Sequence, residues 1–244
     1  MNTRVDSMIR FAFCPHYMSQ MGPLEDPSHE CLEMFRTFIT YVYGKQLEVS
    51  QKVSWKQALD RWTKLYWADK ERESFNEVRF NKSLIALKRF HDWYISQKGS
   101  VLAVNFNYIS DVYEHRYNGQ IPVVLNHDDS TVTLVFVEPL GSVGESSWNG
   151  FIRYAALAVD SKVKLRSIVN LSFYNFSEPF KVFEFNPSTR FFETCLSDAA
   201  NILQSMQDGA SYVNSIGCKT CPIRLSCEAL KGDGSSSYMS RKRV

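Results

Sequence analysis

Residues 99–138 read GSVLAVNFNYISDVYEHRYNGQIPVVLNHDDSTVTLVFVE, and this stretch decides the fold. Before Gly99 the apolar residues recur every three or four positions; after it they alternate or run on continuously, which is the change from helix to strand. Val101–Tyr113 and Gln120–Asn126 are predicted as strands, joined across the turn-forming pair Asn118 and Gly119. Thr131–Glu138, entered through His127, Asp128, Asp129 and Ser130, is predicted as a third strand. Its run of Val132, Leu134, Val135, Phe136 and Val137 suits a central strand buried on both faces.

Working outward, three helices precede this stretch. His29–Leu47 carries Cys31, Leu32, Phe35, Phe38, Ile39, Val42 and Tyr43 at helical spacing, with Gly44 in its last turn. Ser54 is a predicted N-cap for a helix reaching about Asp69, and Glu77–Gln97 forms a third helix ended by Gly99. Downstream, Gly141–Ser147 reads as a loop, Trp148–Val159 as a helix, Leu165–Tyr174 and Phe180–Phe185 as strands, and Ser188–Gln207 as a helix after Pro187. The fold class is therefore α/β: a central mixed sheet flanked by helices. Residues 1–231 are read as one domain, with a helical insertion at 29–98, a sheet core at 99–207 and a cysteine-rich end at 214–231. Residues 232–244, Gly/Ser-rich and closing on Arg241, Lys242 and Arg243, are read as a disordered basic tail.

The chain has 244 residues, 44% of them hydrophobic and 22% charged, with eleven Gly and eight Pro, which excludes general disorder, collagen-like repeats and a coiled-coil rod. At this length roughly 70–75% of the surface of the unfolded chain is buried on folding, so no disulfide scaffold is needed. No uncharged apolar run reaches the ~18–20 residues of a spanning helix, so no membrane is expected as a partner. Met1–Arg10 carries Arg4, Asp6 and Arg10 without an apolar core, so no secretory signal is read and a cytoplasmic location is expected. A net charge of +2 does not by itself point to nucleic acid.

Six cysteines in such a chain favour metal binding or catalysis over disulfides. Cys218, Cys221 and Cys227 form C-x2-C-x5-C: the x2 pair wraps a short turn, and the third thiol stands one turn into the following segment. Cys14, also followed by proline, is the natural fourth ligand. Cys31 and Cys195 sit on helices and read as small buried hydrophobes. A four-thiolate site takes either an iron–sulfur cluster or Zn²⁺.

An N-terminal Cys–Pro, an α/β body and a closing C-x2-C-x5-C together resemble the RecB-like, iron–sulfur branch of the PD-(D/E)XK nuclease superfamily, which includes the CRISPR-adaptation and AddB-type exonucleases. Phe13, Cys14, Pro15, His16 and Tyr17 are similar to that family's opening segment. Gly119, Gln120, Ile121 and Pro122 resemble its G-x-I-D strand, and Val137, Glu138, Pro139 and Leu140 its (D/E)-x-K strand. Gly150 to Tyr154 resembles its Q-x-x-x-Y helix. The resemblance implies a 4Fe–4S cluster on Cys14, Cys218, Cys221 and Cys227, tying the chain ends together.

Active members of that family bind a divalent cation through the Asp and the Asp/Glu, and use the Lys to position water. Hard cations need carboxylate oxygens, and the charge developing on phosphorus needs a cation nearby. Here Pro122 replaces the Asp, Leu140 the Lys and Gly150 the Gln, while Asn105 stands where an upstream Glu is frequent. Glu138 and Tyr154 remain, as vestiges of the site. Asp111, Glu114, Asp128, Asp129, Arg153 and His29 are weaker candidates for relocated ligands or for nucleic-acid contact, and each also reads as a surface or turn residue. Two functions stay open. One is a catalytically inactive nuclease-like protein that binds DNA or a protein partner within a recombination, repair or phage DNA-metabolism assembly. The other is an active Mg²⁺- or Mn²⁺-dependent DNA exonuclease with relocated catalytic residues.

Lys52–Lys98 holds eleven Lys/Arg against six Asp/Glu, and Trp55, Trp62, Trp67 and Trp93 lie in it. Basic residues interleaved with aromatics suit a groove that tracks a nucleic-acid strand. The same pattern describes helices with a tryptophan core and a solvated basic face.

Overall fold

The computed structural model describes residues 2–4, 7–8, 11, 27–68, 77–112, 115–127, 131–138, 169–175, 181–186 and 189–209. In chain order these form β1 (Asn2–Arg4), α1 (Pro27–Val49), α2 (Trp55–Tyr66), α3 (Glu77–Ser96), β2 (Ser100–Val112), β3 (His115–Asn126), β4 (Val132–Glu138), β5 (Val169–Asn175), β6 (Lys181–Phe185) and α4 (Thr189–Gln207).

Local sequence accounts for the helix boundaries. α1 runs through Gly44 and ends instead before Ser50, which adopts φ 54. Ser54 opens α2 with a capping box: its side chain accepts from the Gln57 N–H, and Gln57 Oε1 accepts from the Ser54 N–H at 3.0 Å. At the end of α3, Lys52 Nζ donates to the carbonyls of Ile95 and Gln97 at 2.6 and 2.5 Å, filling acceptors that the last turn leaves open. Gly99, at φ 122, then turns the chain into β2; a side chain there would meet the Asn126 carbonyl at 2.9 Å.

The six strands form one mixed sheet. β2 and β3 are antiparallel from Ser100↔Asn126 to Val112↔His115, so the chain reverses between Val112 and His115. This corrects the expected turn at Asn118 and Gly119, which lie inside β3 opposite Ile109 and Tyr108. Gly119 is required for another reason: a Cβ there would sit 2.3 Å from Tyr108 Oη, so the Tyr108 side chain occupies the space a larger residue would need. β4 is central, antiparallel to β3 and parallel to β5, and Val132 to Val137 are buried, as their composition predicts. β1, which pairs parallel with Arg116–Asn118 of β3, was not read from the sequence.

Val123, Leu125, Val135, Val137 and Tyr174 pack in one core with residues of α1–α3, including Phe35, Phe38, Trp62, Phe90 and Tyr94. α1–α3 thus pack over one face of the sheet. Tyr43 and Tyr174 are wholly buried and hydrogen-bond across this layer, Oη to Oη, at 2.8 Å.

Candidate functional site

β3 meets two partners along one edge. β2 occupies its other edge throughout, so β1 (against 116–118) and β4 (against 123–126) must share the remaining one. Between them lie Gly119, Gln120, Ile121 and Pro122. The β3–β4 ladder stops at Val123↔Val135, whereas Phe136, Val137 and Glu138 continue in register on Phe173, Tyr174 and Asn175 of β5. The sheet therefore forks. Its two prongs carry positions 122 and 138, the two at which the family resemblance read from the sequence would place metal-binding carboxylates.

Pro122 is compatible with this place because the fork removes the need for its missing N–H. Proline inside a sheet ordinarily costs a ladder hydrogen bond and is confined to edges and bulges. Here β4 has left β3 at this rung. On the other side the register Val104↔Val123 and Phe106↔Ile121 sets Asn105 opposite Pro122, and Asn105 adopts φ 54, a left-handed conformation that asparagine tolerates better than most residues. Asn105 is exposed and Pro122 is buried. Two rungs further, Gln120 Nε2 donates to Asn107 Oδ1 at 3.2 Å. A buried prolyl ring on one prong offers a cation no oxygen, and amides carry no charge to hold one. For Glu138 the backbone is fixed by its pairing with Asn175.

The other candidates separate clearly. Asp111 receives two hydrogen bonds from Arg116, at 2.8 and 3.4 Å, which hold its carboxyl below the usual carboxylate range; it is an exposed ion-pair member. His29 lies in the first turn of α1. Cys14, Glu114, Asp128, Asp129, Leu140, Gly150, Arg153, Tyr154, Cys218, Cys221 and Cys227, together with the expected helix Trp148–Val159 and the tail, lie outside the described residues. Among the described residues no group of three His, Cys, Asp or Glu could hold a metal ion.

Of the four tryptophans that suit a strand-stacking platform, Trp62 belongs to the core. Trp62 is fully buried, donates its indole N–H to Ser83 Oγ at 2.9 Å and contacts Phe38 edge-on at 5.5 Å. Trp55, Trp67 and Trp93 are half-buried against the same cluster. Several cations of this region also have structural partners: Lys52 caps α3, Lys64 pairs with Asp60, Lys88 pairs with Asp92, and Arg61 lies over the Tyr41 ring at 5.0 Å.

Two features escaped the sequence reading. The Asn107–Gln120 amide pair beside the fork is signalled only by the alternation of Asn105 and Asn107 within an otherwise apolar strand. A groove between α3 and β6 is lined by Arg89, Trp93, Val182 and Glu184, residues too far apart in the chain for any motif to join them.

The fold matches solved structures while the sequence does not. No protein-family model matches the chain, and no curated protein sequence matches it. A candidate exonuclease from Eubacterium rectale superposes with a TM-score of 0.54 at 9% identity, over 92% of this chain and 87% of that one. An alkaline exonuclease from Laribacter hongkongensis gives a TM-score of 0.34 at 6% identity, over 72% of this chain and 92% of that one. The chain thus shares its fold, a mixed sheet flanked by helices, with the Eubacterium rectale structure. No described helix is long and apolar enough to cross a membrane.

Proposed function

We propose that this protein is a nuclease-fold module of the RecB-like, iron–sulfur type that binds DNA, or a protein partner on DNA, without cutting it. The observation that carries this reading is the sheet fork, with buried Pro122 on one prong and Glu138 on the other; the resemblance would put a metal-binding carboxylate where Pro122 stands. Mg²⁺ is held through one or two carboxylates plus water and phosphate. With Pro122 on one prong, Glu138 alone would have to hold the cation, and Leu140 leaves no lysine to steady the attacking water.

In this reading Cys14, Cys218, Cys221 and Cys227 hold a 4Fe–4S cluster that joins the chain ends. Three thiols within ten residues and a fourth Cys–Pro at the far end support it. Zn²⁺ is the competing occupant. Metal analysis of anaerobically purified protein tests the assignment. Iron and sulfide with broad visible absorbance support the cluster; colourless protein with one equivalent of zinc keeps the site and rejects the iron.

DNA binding is tested by titrating labelled single- and double-stranded DNA at several salt concentrations. Phosphate contacts release counterions, so affinity should fall steeply as salt rises. Salt-independent binding, or none, rejects the DNA reading and leaves the protein partner.

A further inference from the structure

The groove between α3 and β6 is a shallow, open depression of about 500 Å³, and among the described residues its lining combines one aromatic, one aliphatic, one cationic and one anionic side chain. Trp93 is braced from the core side: its ring meets Tyr174 edge-on at 4.7 Å and an 80° angle. Arg89 stands one helical turn before it on α3. Lys88 is tied to Asp92, whereas Arg89 has no hydrogen bond or ion pair among the described residues. Across the groove Val182 pairs with Tyr174 and Glu184 with Ser172. The Glu184 carboxylate is exposed and also lacks a hydrogen bond or salt bridge among the described residues. Ser172 Oγ, buried beside it, has no hydrogen-bond partner among the described residues. One groove thus brings together a braced indole, a guanidinium and a carboxylate, complementary binding groups whose charges have no hydrogen-bond or ion-pair partner among the described residues.

We propose that this groove binds a guanine nucleotide, with the base on Trp93, its donor edge on Glu184 and its phosphate on Arg89. An indole presents a surface on which any base can stack. A carboxylate has acceptors alone, so it selects the base edge that offers two adjacent donors; guanine, with N1–H and the 2-amino group, provides that edge. Adenine offers a single amino group beside a ring acceptor, and thymine a lone N–H between two carbonyl oxygens that repel a carboxylate. Guanidinium donors match phosphate oxygens in pairs. The nucleotide can be free or the end of a strand, and the chemistry of recognition is the same. Its described lining comes from α3 and β6, and neither Pro122 nor Glu138 takes part in it, so the proposal does not rest on the reading of the fork.

Calorimetric titration of the full chain with dGMP, dAMP, dCMP and TMP, and with short oligonucleotides ending in guanine or made of thymine alone, tests it. The expected result is binding of the guanine ligands at least about tenfold tighter than the others, the scale of one good base-edge contact. Glu184→Gln should erase that preference and Arg89→Ala should weaken every phosphorylated ligand. Binding of dGMP itself identifies a free nucleotide as source, and binding of guanine-ended oligonucleotides alone identifies a strand end. Equal affinity for all bases, no binding, or a guanine preference that survives Glu184→Gln overturns the proposal. Thymine oligonucleotides binding in a salt-sensitive way without guanine preference would reject this subsite and leave DNA binding standing.

Discussion

Tyr43 of α1 and Tyr174 of β5 meet hydroxyl to hydroxyl at 2.8 Å in the interior, a side-chain hydrogen bond that ties the helical layer directly to the sheet. Burial pushes both phenols well above their ordinary value of 10.0. Tyr43→Phe should leave the Tyr174 hydroxyl without a partner and lower stability by about 1–3 kcal/mol. The double variant Tyr43→Phe/Tyr174→Phe should recover part of that loss, because neither group is then left unsatisfied. Urea denaturation midpoints of the three proteins check this; a double variant weaker than the sum of both singles would contradict it.

The same pair sets an alkaline limit. Below pH 10 the phenols are protonated whether folded or unfolded and contribute no pH dependence. Above it the unfolded chain loses these protons while the folded core retains them, so the unfolded state binds fewer protons and stability falls as pH rises, by up to about 1.4 kcal/mol per pH unit for each tyrosine. Denaturation between pH 9 and 11 should show this decline, and the double Phe variant should show less of it. Equal slopes for the two proteins would rule the pair out as its source.

Gly119→Ala should destabilise the sheet by about 1–3 kcal/mol, since the new methyl meets the Tyr108 hydroxyl at 2.3 Å with little room to yield. A thermal midpoint equal to the parent's would mean that Tyr108 does not lie across Gly119.

Lys52→Met should fray the end of α3, because the two carbonyls that Lys52 caps lose a charged donor. A cost of about 1 kcal/mol is expected, with faster amide exchange over the last turn of α3. Unchanged exchange there would show that the cap contributes nothing.

Much of this architecture was legible in the sequence. The period switch at Gly99 separates helices from strands, Ser54 is a cap by residue type and spacing, and the near-continuous apolar run of β4 announces a strand with neighbours on both sides. What the sequence hid depended on pairing between distant segments. Asn118 and Gly119 have the composition of a turn, and only the Tyr108 ring across the rung explains the glycine. β1 is three residues long, too short for any periodicity to show. The substitution of Pro122 for an acid was visible, but the fork that makes a proline tolerable there is a property of two ladders ending at different rungs. Four tryptophans among basic residues fit a core and a binding surface equally well until packing placed Trp62 inside.

Catalytic repair should be cooperative. Groups acting as one unit are strongly non-additive, so Pro122→Asp, Leu140→Lys or Gly150→Gln alone should yield no cleavage. Only the triple variant has the acid, cation and polar helix residue together, and a nicking assay with Mn²⁺ compares the four. Activity from a single reversion would show that fewer elements are missing than proposed.

The most direct test of the central claim is a cleavage assay of the unmodified protein on single- and double-stranded DNA with Mg²⁺ or Mn²⁺, run beside Glu138→Ala under conditions where binding is measured on the same samples. The account predicts DNA that is bound in a salt-sensitive way and remains intact in both. Metal-dependent cleavage by the parent, abolished by Glu138→Ala, would show that the ligands have relocated around Glu138 and that the protein is a working exonuclease.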